Sequence, residues 1–400
     1  MPEVSDLLTE ETVPKYLAER AEEIAVFTAD AKLTAKAIVG GNVNYAFRVD
    51  EEGTGKSVFV KQAPEFVAIF GPDGFPLTSA RMQQEYDVYN EFRSILGDEL
   101  GAKYLPTIHL FDKKNMVFVL EFFELTLLDE ELIGEGSNAL IAAGLGEFMG
   151  KIHAATHSSK VSEERAKYLT AHYENRAMRD IQLEFVFTKC YKESTEEQRA
   201  GLNVDEAFMK EVEMLKTAYN GGNADNLVLS HGDLHPGSVM ADDKEVKVID
   251  PEFTVYGPPG LDVGSLLSGY VLAAVHQAFL NKPDLVVSLC EQVDAIWKTY
   301  KTTMEKGGIS ADVMKKIEIE TVGFTVAEVC RTGLEFAGGR KWLQFEDEKV
   351  KAESKKAALN IVGNCMVARH EGGMELLLSE IKSLNKSQSE KVEKSTCEVS

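Results

Sequence analysis

Apolar and polar residues change their spacing several times along the N-terminal part of the chain, and each change predicts an element. Residues 10–24 have apolar positions at helical spacing, which predicts an opening helix. The runs KLTAKAIVGGNVNYAFRVD and KSVFVKQA then alternate, which predicts three antiparallel strands with a glycine turn between the first two. Residues 79–96 return to helical spacing behind a Ser/Thr candidate N-cap, and short strands are predicted at residues 107–111 and 116–121. We therefore expect an antiparallel sheet with one long helix.

From about residue 138 the spacing is mostly helical, with one interruption. The run NLVLSHGDLHPGSVMADDKEVKVID has two β-like stretches, at residues 228–230 and 246–249, on either side of a polar loop. We interpret it as a hairpin between long helices, and loops held by short strands are where chemistry is usually mounted. Residues 382–400 have low hydrophobicity and no period, so we expect a disordered tail there.

The overall charge narrows the classes of partner. The chain has 43 Lys+Arg against 65 Asp+Glu, a formal net charge of −22. Such a field disfavours nucleic acids and anionic membranes, but a small anionic ligand can still be held by local donors and a divalent cation. The five cysteines are scattered without a C-x-x-C pair, which fits neither a disulfide framework nor a zinc site. The N-terminus lacks the features of a secretory or transit signal, so we expect a cytoplasmic protein.

Some local features are better explained by structure than by chemistry. Residues 266–280 are apolar but too short to span a bilayer, and we expect a buried core helix. His153 and His157 are four residues apart on a predicted helix, and without a third ligand a structural role is favoured over a metal site. Cys330 is either a buried small side chain or a reactive thiol beside a phosphate site.

Three acidic residues lie at the two ends of the predicted hairpin. Asp233 belongs to the run H-G-D-L-H, and Asp250 and Glu252 form the run D-P-E. Carboxylates delivered from two adjacent loop ends can hold Mg²⁺ and orient a hydroxyl, the tasks that phosphoryl transfer asks of side chains. The two histidines beside Asp233 also leave a zinc interpretation open. An apolar strand that ends directly in two acids is costly unless an ion or ligand compensates, so we favour function over surface acids.

The N-terminal half offers the remaining parts of a kinase in the correct chain order. A kinase needs a lid over the nucleotide phosphates, a strand lysine for them and a helix glutamate that positions the lysine. The candidates are Gly40, Gly41 and Asn42 in the strand turn, Lys61 on the third strand and Glu85 on the next helix. Each feature alone is weak evidence for a kinase, and their occurrence together in this order along the chain is what supports that interpretation.

Several segments resemble the methylthioribose kinases, members of the protein-kinase-like superfamily that includes the choline and aminoglycoside kinases. The matching segments are GNVNYAF (41–47), VKQA (60–63), FPLT (75–78), VFT (186–188), HGDLHPGS (231–238) and DPEFTVYGPPGLDVG (250–264). The resemblance as a whole extends over about residues 40–342. Ser238 stands where most other superfamily members carry Asn, as it does in the methylthioribose kinases, and this favours the narrower family.

The resemblance implies a two-lobed α+β protein-kinase-like fold. The N-lobe would be an antiparallel sheet plus a helix over residues 1–121, and the C-lobe would be mainly helical over residues 124–381. ATP and Mg²⁺ would lie between the lobes. The implied activity is ATP-dependent phosphorylation of the 1-hydroxyl of 5-methylthioribose in methionine salvage, by an enzyme that forms a homodimer.

The same resemblance implies the role of each site residue. Asp233 would act as base or positioning group for the sugar hydroxyl, and Asp250 and Glu252 would bind Mg²⁺. The residues implied for the nucleotide are Gly40, Gly41, Asn42, Lys61 and Glu85, with the backbone of Glu121, Phe122 and Phe123 at the adenine. Those implied for the sugar, besides Asp233, are Arg331 and Phe75.

Three departures from the family bear on the substrate. The family has paired arginines where this chain has Cys330 and Arg331, so one guanidinium is lost. The Trp of its WPLT loop is Phe75, with one residue inserted nearby, and the Thr of its HTGS run is Pro236. These changes leave open a kinase of the same fold that acts on another pentose or an amino alcohol. A pseudokinase scaffold that binds nucleotide without turnover is the alternative from another class, and the retained site acids and Lys61 argue against it.

Overall fold

The computed structural model describes residues 7–38, 43–134, 136, 139–338 and 340–397. Contacts group the chain into two units, Met1–Leu125 with Lys247–Phe253, and Thr126–Val246 with Thr254–Ser400. The predicted lobe boundaries stay a prediction, and the segment Lys247–Phe253 that we expected in the second lobe groups with the first unit. The predicted turn residues Gly40, Gly41 and Asn42 lie outside the described residues.

The first unit contains an antiparallel sheet with strand order β1-β2-β3-β5-β4. Its elements are α1 (Val13–Ala18), α2 (Ala21–Ile24), β1 (Leu33–Ala37), β2 (Tyr45–Glu51), β3 (Ser57–Gln62), α3 (Arg81–Tyr104), β4 (Ile108–Asp112) and β5 (Val117–Glu121). The strands predicted from the alternation are thus present. Where one opening helix was expected over residues 10–24, two short helices are separated by Glu19 and Arg20.

The two faces of this sheet are covered by different helices. One face buries Val58 and Val60 of β3 against apolar residues of α1 and α2, among them Val13 and Leu17. On the other face Phe118 of β5 packs edge-on against Tyr89 of α3, with ring centroids 5.9 Å apart. Because successive side chains of a strand point to opposite faces, Lys61 faces α3, while its neighbour Val60 faces α1 and α2.

The long helix α3 differs from its prediction at both ends. Its N-cap position is Ala80, which makes no side-chain cap, because the hydroxyl of Ser79 donates to Glu65 instead. Beyond Leu96 the helix continues to Tyr104 across Gly97, whose φ of 72° no other residue type adopts easily.

The second unit is mainly helical, with two small sheets. Its helices are α4 (Leu128–Ile133), α5 (Ala139–Thr156), α6 (Glu163–His172), α7 (Arg176–Phe185), α8 (Lys189–Glu193), α9 (Glu196–Arg199), α10 (Glu206–Thr217), α11 (Gly260–Phe279), α12 (Pro283–Lys306), α13 (Ala311–Gly333), α14 (Glu348–Cys365) and α15 (Arg369–Cys397). Its strands are β6 (Thr126–Leu127), β7 (Val228–Ser230), β8 (Val239–Ala241) and β10 (Val255–Gly257); β9 (Val246–Val248) begins at the last residue before the segment that groups with the first unit. The predicted α+β class, an antiparallel sheet followed by a mainly helical remainder, is confirmed.

The expected hairpin of residues 228–249 is not formed. β7 pairs antiparallel with β10, while β8 pairs with β6. Local alternation identifies a strand but not its partner, and here the partner of β7 comes from the far side of the acidic D-P-E run.

Helix α11 is the centre of the second unit. Every residue from Gly260 to Ala278 is buried, as predicted for the apolar stretch of residues 266–280. It packs closely on α13, since a Cβ at Gly264 would lie 2.6 Å from the Cβ of Phe324. Among the residues that the structure describes, no helix combines the length and hydrophobicity needed to cross a membrane.

The C-terminal segment contains the end of α15, whose backbone is helical as far as Cys397. The disordered tail that we expected over residues 382–400 stays a prediction. The segment contains no glycine or proline and is rich in Lys and Glu, which have high helix propensity, so a lack of apolar period does not prevent a helix.

Candidate active site

Lys61 and Glu85 form a buried ion pair within the first unit. β3 directs Lys61 at α3, where the carboxylate of Glu85 accepts its Nζ hydrogen bond at 2.8 Å. Both side chains are almost fully buried, at 7% and 1% exposed. A lysine held in this way presents one fixed positive charge at the end of a rigid strand.

Asp250 and Glu252 belong to the same cluster. Lys61 Nζ also contacts the carboxylate of Asp250 and lies 3.8 Å from Glu252 Oε2. Asp250 has a positive φ of 64°, and its N–H donates to the hydroxyl of Tyr89 at 3.0 Å. Tyr89 therefore holds a backbone conformation that would otherwise be strained.

Two residues that the sequence reasoning did not single out fix Glu252 in place. Asn44, just after the predicted glycine turn, donates from Nδ2 to Glu252 Oε2 at 2.8 Å. Its own Oδ1 accepts from Arg81 Nε at 3.1 Å. The guanidinium of Arg81 also donates to the carbonyls of Val43, Pro64, Leu77 and Thr78. A buried arginine at the start of α3 thus ties together the loops around the cluster, a role that only the long-range contacts reveal.

The electrostatics of this cluster favour an added cation. Burial would lower the pKa of Lys61, but the three carboxylates hold it well above its ordinary value. Burial raises the pKa of Glu85 and of Glu252, and Lys61 opposes both shifts. Oxygens of Glu85, Asp250 and Glu252 lie within 4.8 Å of one another. Carboxylate oxygens are the ligands that Mg²⁺ prefers, so the donor set fits that ion.

Asp262 and His153 fix the backbone of the loop that carries Asp233 in the second unit. The N–H groups of His231 and Gly232 donate to the two oxygens of Asp262 at 2.7 and 2.9 Å. Burial would raise the pKa of Asp262, but its hydrogen bond with His153 and the nearby charges lower it. His153 Nε2 lies 3.2 Å from Asp262, which confirms the structural interpretation of this histidine. Sequence reasoning left Asp262 without a role, although it lies within the quoted run DPEFTVYGPPGLDVG.

The carboxylate of Asp233 is left open by its surroundings. Its side chain is 29% exposed, and His235 Nε2 lies 3.8 Å from Oδ2, too far for a hydrogen bond. Burial lowers the pKa of His235 to about 3, so this histidine is neutral at pH 7. Among the described residues, no donor forms a hydrogen bond with the Asp233 carboxylate. The carboxylate is therefore available to a hydroxyl from outside the protein.

Asp233 is a weaker acid group than an ordinary aspartate. Burial and the neighbouring Glu328 raise the pKa of Asp233 to about 6, although Arg340 and Arg331 act in the opposite direction. At neutral pH it is mostly ionised. Such a carboxylate can accept a proton more readily than one in water.

Glu328, Arg331 and Arg340 form a charged cluster beside this loop. Glu328 Oε2 accepts from Arg331 Nη2 at 2.7 Å and from Arg340 Nη1 at 3.1 Å. Burial would raise the pKa of Glu328, but the two arginines lower it to about 2. Arg331 was predicted at the sugar, whereas Glu328 and Arg340 were missed because nothing in their sequence neighbourhood marks them.

A small cavity of the second unit adjoins Asp233. It is lined on one side by polar residues, Asp233, Glu328 and Gln182. Its other walls are mainly apolar and comprise Val186, Phe187, Leu261 and Phe324, with Gly232 and Ser265. The predicted match VFT (186–188) contributes two of these residues.

The remaining predicted residues of the first unit lie at its strand ends and loops. The Glu121 carboxylate accepts a hydrogen bond from the N–H of Thr107 at 3.0 Å, and the N–H of Glu121 donates to the Thr107 carbonyl at 2.9 Å. The guanidinium of Arg48 stacks on Phe122 at 4.3 Å, and Phe123 lies 5.1 Å from Lys247 Nζ. Phe75 is 51% exposed on its loop. Their roles toward a nucleotide or sugar stay predictions.

Two of the departures from the family have structural explanations. Pro236 begins a short 3-10 turn and packs directly against Gly269 of α11, at a point where a side chain would collide with the proline ring. The Cys330 thiol is fully buried beside Tyr191 and Cys190, and burial holds its pKa well above the ordinary value. This supports a buried small side chain over a reactive thiol.

Comparisons with known proteins agree with this chemistry. The sequence profile described as "phosphotransferase enzyme family" matches residues 34–284. A methylthioribose kinase of Geobacillus sp. (strain WCH70) is 26% identical over 370 residues, covering 88% of this chain and 90% of the relative. A methylthioribose kinase of Bacillus cereus (strain G9842) is 27% identical over 395 residues, covering 94% of each chain.

Solved structures that align with the chain are more distant. The choline kinase from Cryptosporidium parvum Iowa II is 14% identical, with a TM-score of 0.48 over 95% of this chain and 99% of that one. Spectinomycin phosphotransferase APH(9)-Ia, in complex with ADP and spectinomycin, is 14% identical, with a TM-score of 0.46 over 89% of this chain and 98% of that one.

The resemblance to methylthioribose kinases that the motifs predict is confirmed by the sequence relatives. Because the family profile covers more than half of its residues, this chain belongs to the phosphotransferase enzyme family.

Proposed function

We propose that the protein is an ATP-dependent kinase that phosphorylates the 1-hydroxyl of 5-methylthioribose, a step of methionine salvage. The observation that carries this proposal is the Asp233 carboxylate, which accepts no hydrogen bond from the residues that the structure describes and has a pKa raised to about 6, beside a cavity with mainly apolar walls. The relatives named methylthioribose kinase support the choice of sugar.

The first unit supplies the groups that a nucleotide needs. Asp250 and Glu252 would hold Mg²⁺, because their carboxylate oxygens lie close together. Their combined negative charge also exceeds the positive charge of Lys61. When bound, the ion neutralises charge on the ATP phosphates during transfer. Lys61 would contact those phosphates, and Glu85 keeps the lysine in place. Gly40, Gly41 and Asn42 are proposed to cover the phosphates, and the backbone that follows Glu121 to bind adenine.

Asp233 acts on the acceptor in this proposal. Its free oxygens accept a hydrogen bond from the sugar 1-hydroxyl, which fixes the direction in which the hydroxyl oxygen attacks the γ-phosphorus. As the new O–P bond forms and the bond to ADP breaks, the hydroxyl proton can pass to the carboxylate. Phosphoryl transfer depends mainly on alignment and charge neutralisation, so one orienting carboxylate is sufficient.

The cavity beside Asp233 favours a substrate with an apolar end. The cavity as it stands has room for about one water molecule, so a substrate would have to widen it. Its polar side would then meet sugar hydroxyls, and the walls formed by Val186, Phe187 and Phe324 would offer hydrocarbon to a methylthio group. Burying such a group is worth about 25 cal/mol per Å² of apolar surface, which an unsubstituted pentose would forgo. A cationic amino alcohol gains no net attraction there, because the carboxylates of Asp233 and Glu328 are already matched by Arg331 and Arg340.

A panel of acceptors tests the proposal. Methylthioribose, 5-deoxyribose, ribose and choline are each incubated with ATP and Mg²⁺, and ADP release and the phosphorylated product are measured. We expect the highest kcat/KM for methylthioribose. A clearly higher value for another compound would replace the substrate, and nucleotide binding with no turnover on any acceptor would favour the pseudokinase.

A cytoplasmic setting is part of the proposal. It is supported by Cys190, Cys290, Cys330 and Cys365, which are buried free thiols. The homodimer implied by the family resemblance stays a prediction, to be checked by light scattering.

A further inference from the structure

Two guanidinium groups converge on one carboxylate in the second unit. Glu328 and Arg331 are three residues apart on α13, while Arg340 comes from the segment that follows this helix. Both arginines donate to the same oxygen of Glu328, so their guanidinium groups are neighbours. Their side chains are 16% and 18% exposed, which leaves part of each group open.

The cluster leaves hydrogen-bond donors unused. Arg340 Nη1 donates to Glu328 and also lies 3.3 Å from Thr332 Oγ1, but its Nε and Nη2 have no partner among the described residues. The Nε of Arg331 is buried and likewise without a partner within the part of the chain that the structure describes. Buried donors in proteins are rarely left unpaired, so the Nε of Arg331 points to a ligand rich in acceptors. The Nε and Nη2 of Arg340, whose side chain is 18% exposed, can donate to the same ligand.

The charges of the cluster and of Asp233 identify the kind of ligand. Two carboxylates, Asp233 and Glu328, are matched by two guanidinium groups. The nearby His235 is neutral at pH 7. A site with balanced charge and free N–H donors suits an uncharged molecule with several hydroxyl oxygens, as a sugar is.

Cys330, the neighbour of Arg331 on α13, brings no guanidinium to the cluster. Its thiol lies buried beside Tyr191 and Cys190. Arg340 lies ten positions further along the chain, yet it shares Glu328 with Arg331.

We propose that Arg340 is a substrate-binding residue that, together with Arg331, donates hydrogen bonds to the sugar hydroxyls next to the one that is phosphorylated. Glu328 is the positioning residue that fixes the distance between the two arginines. This inference rests on the proposed sugar kinase function, and it assigns a specificity determinant within it.

The test compares Arg340→Ala with Lys341→Ala in the full chain. Lys341 is the adjacent cation, 64% exposed and paired with Glu130 at 3.0 Å, so its variant controls for loss of charge in the same segment. Both variants are assayed with methylthioribose and with its 2-deoxy and 3-deoxy analogues. Sugar binding is also measured by calorimetry in the presence of a non-hydrolysable ATP analogue.

We expect Arg340→Ala to raise the KM and Kd for methylthioribose by roughly 10- to 100-fold, the effect of losing hydrogen bonds from a charged donor. The KM for ATP should change little. The wild-type protein should prefer methylthioribose over at least one deoxy analogue, and Arg340→Ala should lose that preference. Lys341→Ala should behave as the wild type.

Arg340→Lys keeps the charge opposite Glu328 and serves if the alanine variant does not fold. Because an ammonium lacks the planar fork of donors, we expect the same loss of preference between sugar and deoxy analogue. Variants that keep the wild-type KM, Kd and preference overturn the role of Arg340. A wild-type protein that phosphorylates no pentose would instead overturn the proposed function itself, so the two failures are distinguishable.

Discussion

The two charged clusters of the molecule differ in how closely their negative and positive charges balance. In the first unit, Glu85, Asp250 and Glu252 converge on the single ammonium of Lys61, with Arg81 3.9 Å from Glu252. In the second unit, the carboxylates of Asp233 and Glu328 are matched by two guanidinium groups.

This difference separates two kinds of ligand. An excess of carboxylate, of which Glu85 and Glu252 are buried, is costly until a cation arrives, so the first cluster is suited to a divalent ion and the anionic nucleotide that comes with it. The second cluster already has balanced charge, and what it offers is hydrogen-bond donors and one open carboxylate. Variants that act on one cluster should therefore leave the ligand of the other cluster largely unaffected.

The largest effect should come from Asp233→Asn. The amide cannot accept the hydroxyl proton, and we expect kcat to fall by about 1,000-fold while the Kd for ATP stays within about twofold. Single-turnover kinetics and nucleotide titration measure both quantities. Asp225→Asn is the control, because that carboxylate is 81% exposed and has no part in the proposed reaction. Loss of ATP binding with preserved turnover would show that Asp233 belongs to the nucleotide site.

Asp250→Asn should have the next largest effect. Removing one carboxylate charge from the acid-rich cluster should lower kcat/KM at 1 mM Mg²⁺ by about 100-fold, and added Mg²⁺ should restore part of it. Titration of activity with Mg²⁺ measures the change. Asp73→Asn, at an exposed loop position, should leave the curve unchanged. If the Mg²⁺ requirement is the same in both variants, Asp250 is not a ligand.

The pH dependence should follow Asp233. Its carboxylate faces Glu328, Arg331, Arg340 and the two histidines of its loop, and its pKa of about 6 lies above the ordinary value. Since the ionised form is the active one, kcat/KM should fall about tenfold per unit below pH 6. A profile that stays flat down to pH 5 contradicts this assignment.

The raised pKa also has a consequence for stability. A carboxyl whose pKa is higher in the folded state than in the unfolded state costs stability, and this cost builds up between about pH 4 and about pH 6 and is complete above that. Asp233→Asn should therefore stabilise the fold by on the order of 2 kcal/mol at pH 7, and the gain should vanish below pH 4. Thermal unfolding at the two pH values measures it, and an equal gain at both would contradict the cause.

The smallest effect should come from Glu85→Gln. The amide still accepts a hydrogen bond from Lys61 but no longer pairs with its charge, so we expect the KM for ATP to rise about five-fold with the sugar KM unchanged. Steady-state kinetics in both substrates test this. Glu99→Gln, on an exposed part of the same helix, is the matched control. A change confined to the sugar KM would contradict the assignment of Glu85 to the nucleotide-binding cluster.

Much of the first unit could be predicted from the sequence because its information is local. Alternation gave the strands, and the same alternation put Lys61 on the face that meets α3. The absence of a side-chain N-cap could not be predicted, because it depends on the hydroxyl of Ser79 donating to Glu65 instead. The Asn44 to Glu252 hydrogen bond joins residues 208 positions apart, and no local pattern carries such a contact.

The second unit was less predictable for the same reason. Its strand pairing is non-local, so β7 was assigned the wrong partner. The motif containing Asp233 was recognised, but the roles of Asp262, Glu328 and Arg340 depend on how α11, α13 and the following segment pack. A buried residue that binds backbone or another side chain has the same sequence signature as any other charged residue.

The attachment of the Asp233 loop to Asp262 has a consequence for altering this protein. The N–H groups of His231 and Gly232 are both bound by one side chain of the buried helix α11, so the loop takes its shape from the core. Arg340 comes instead from the segment after α13. Substitutions in that segment could therefore redirect the choice of sugar while the machinery of phosphoryl transfer is kept, and the two properties could evolve or be engineered separately.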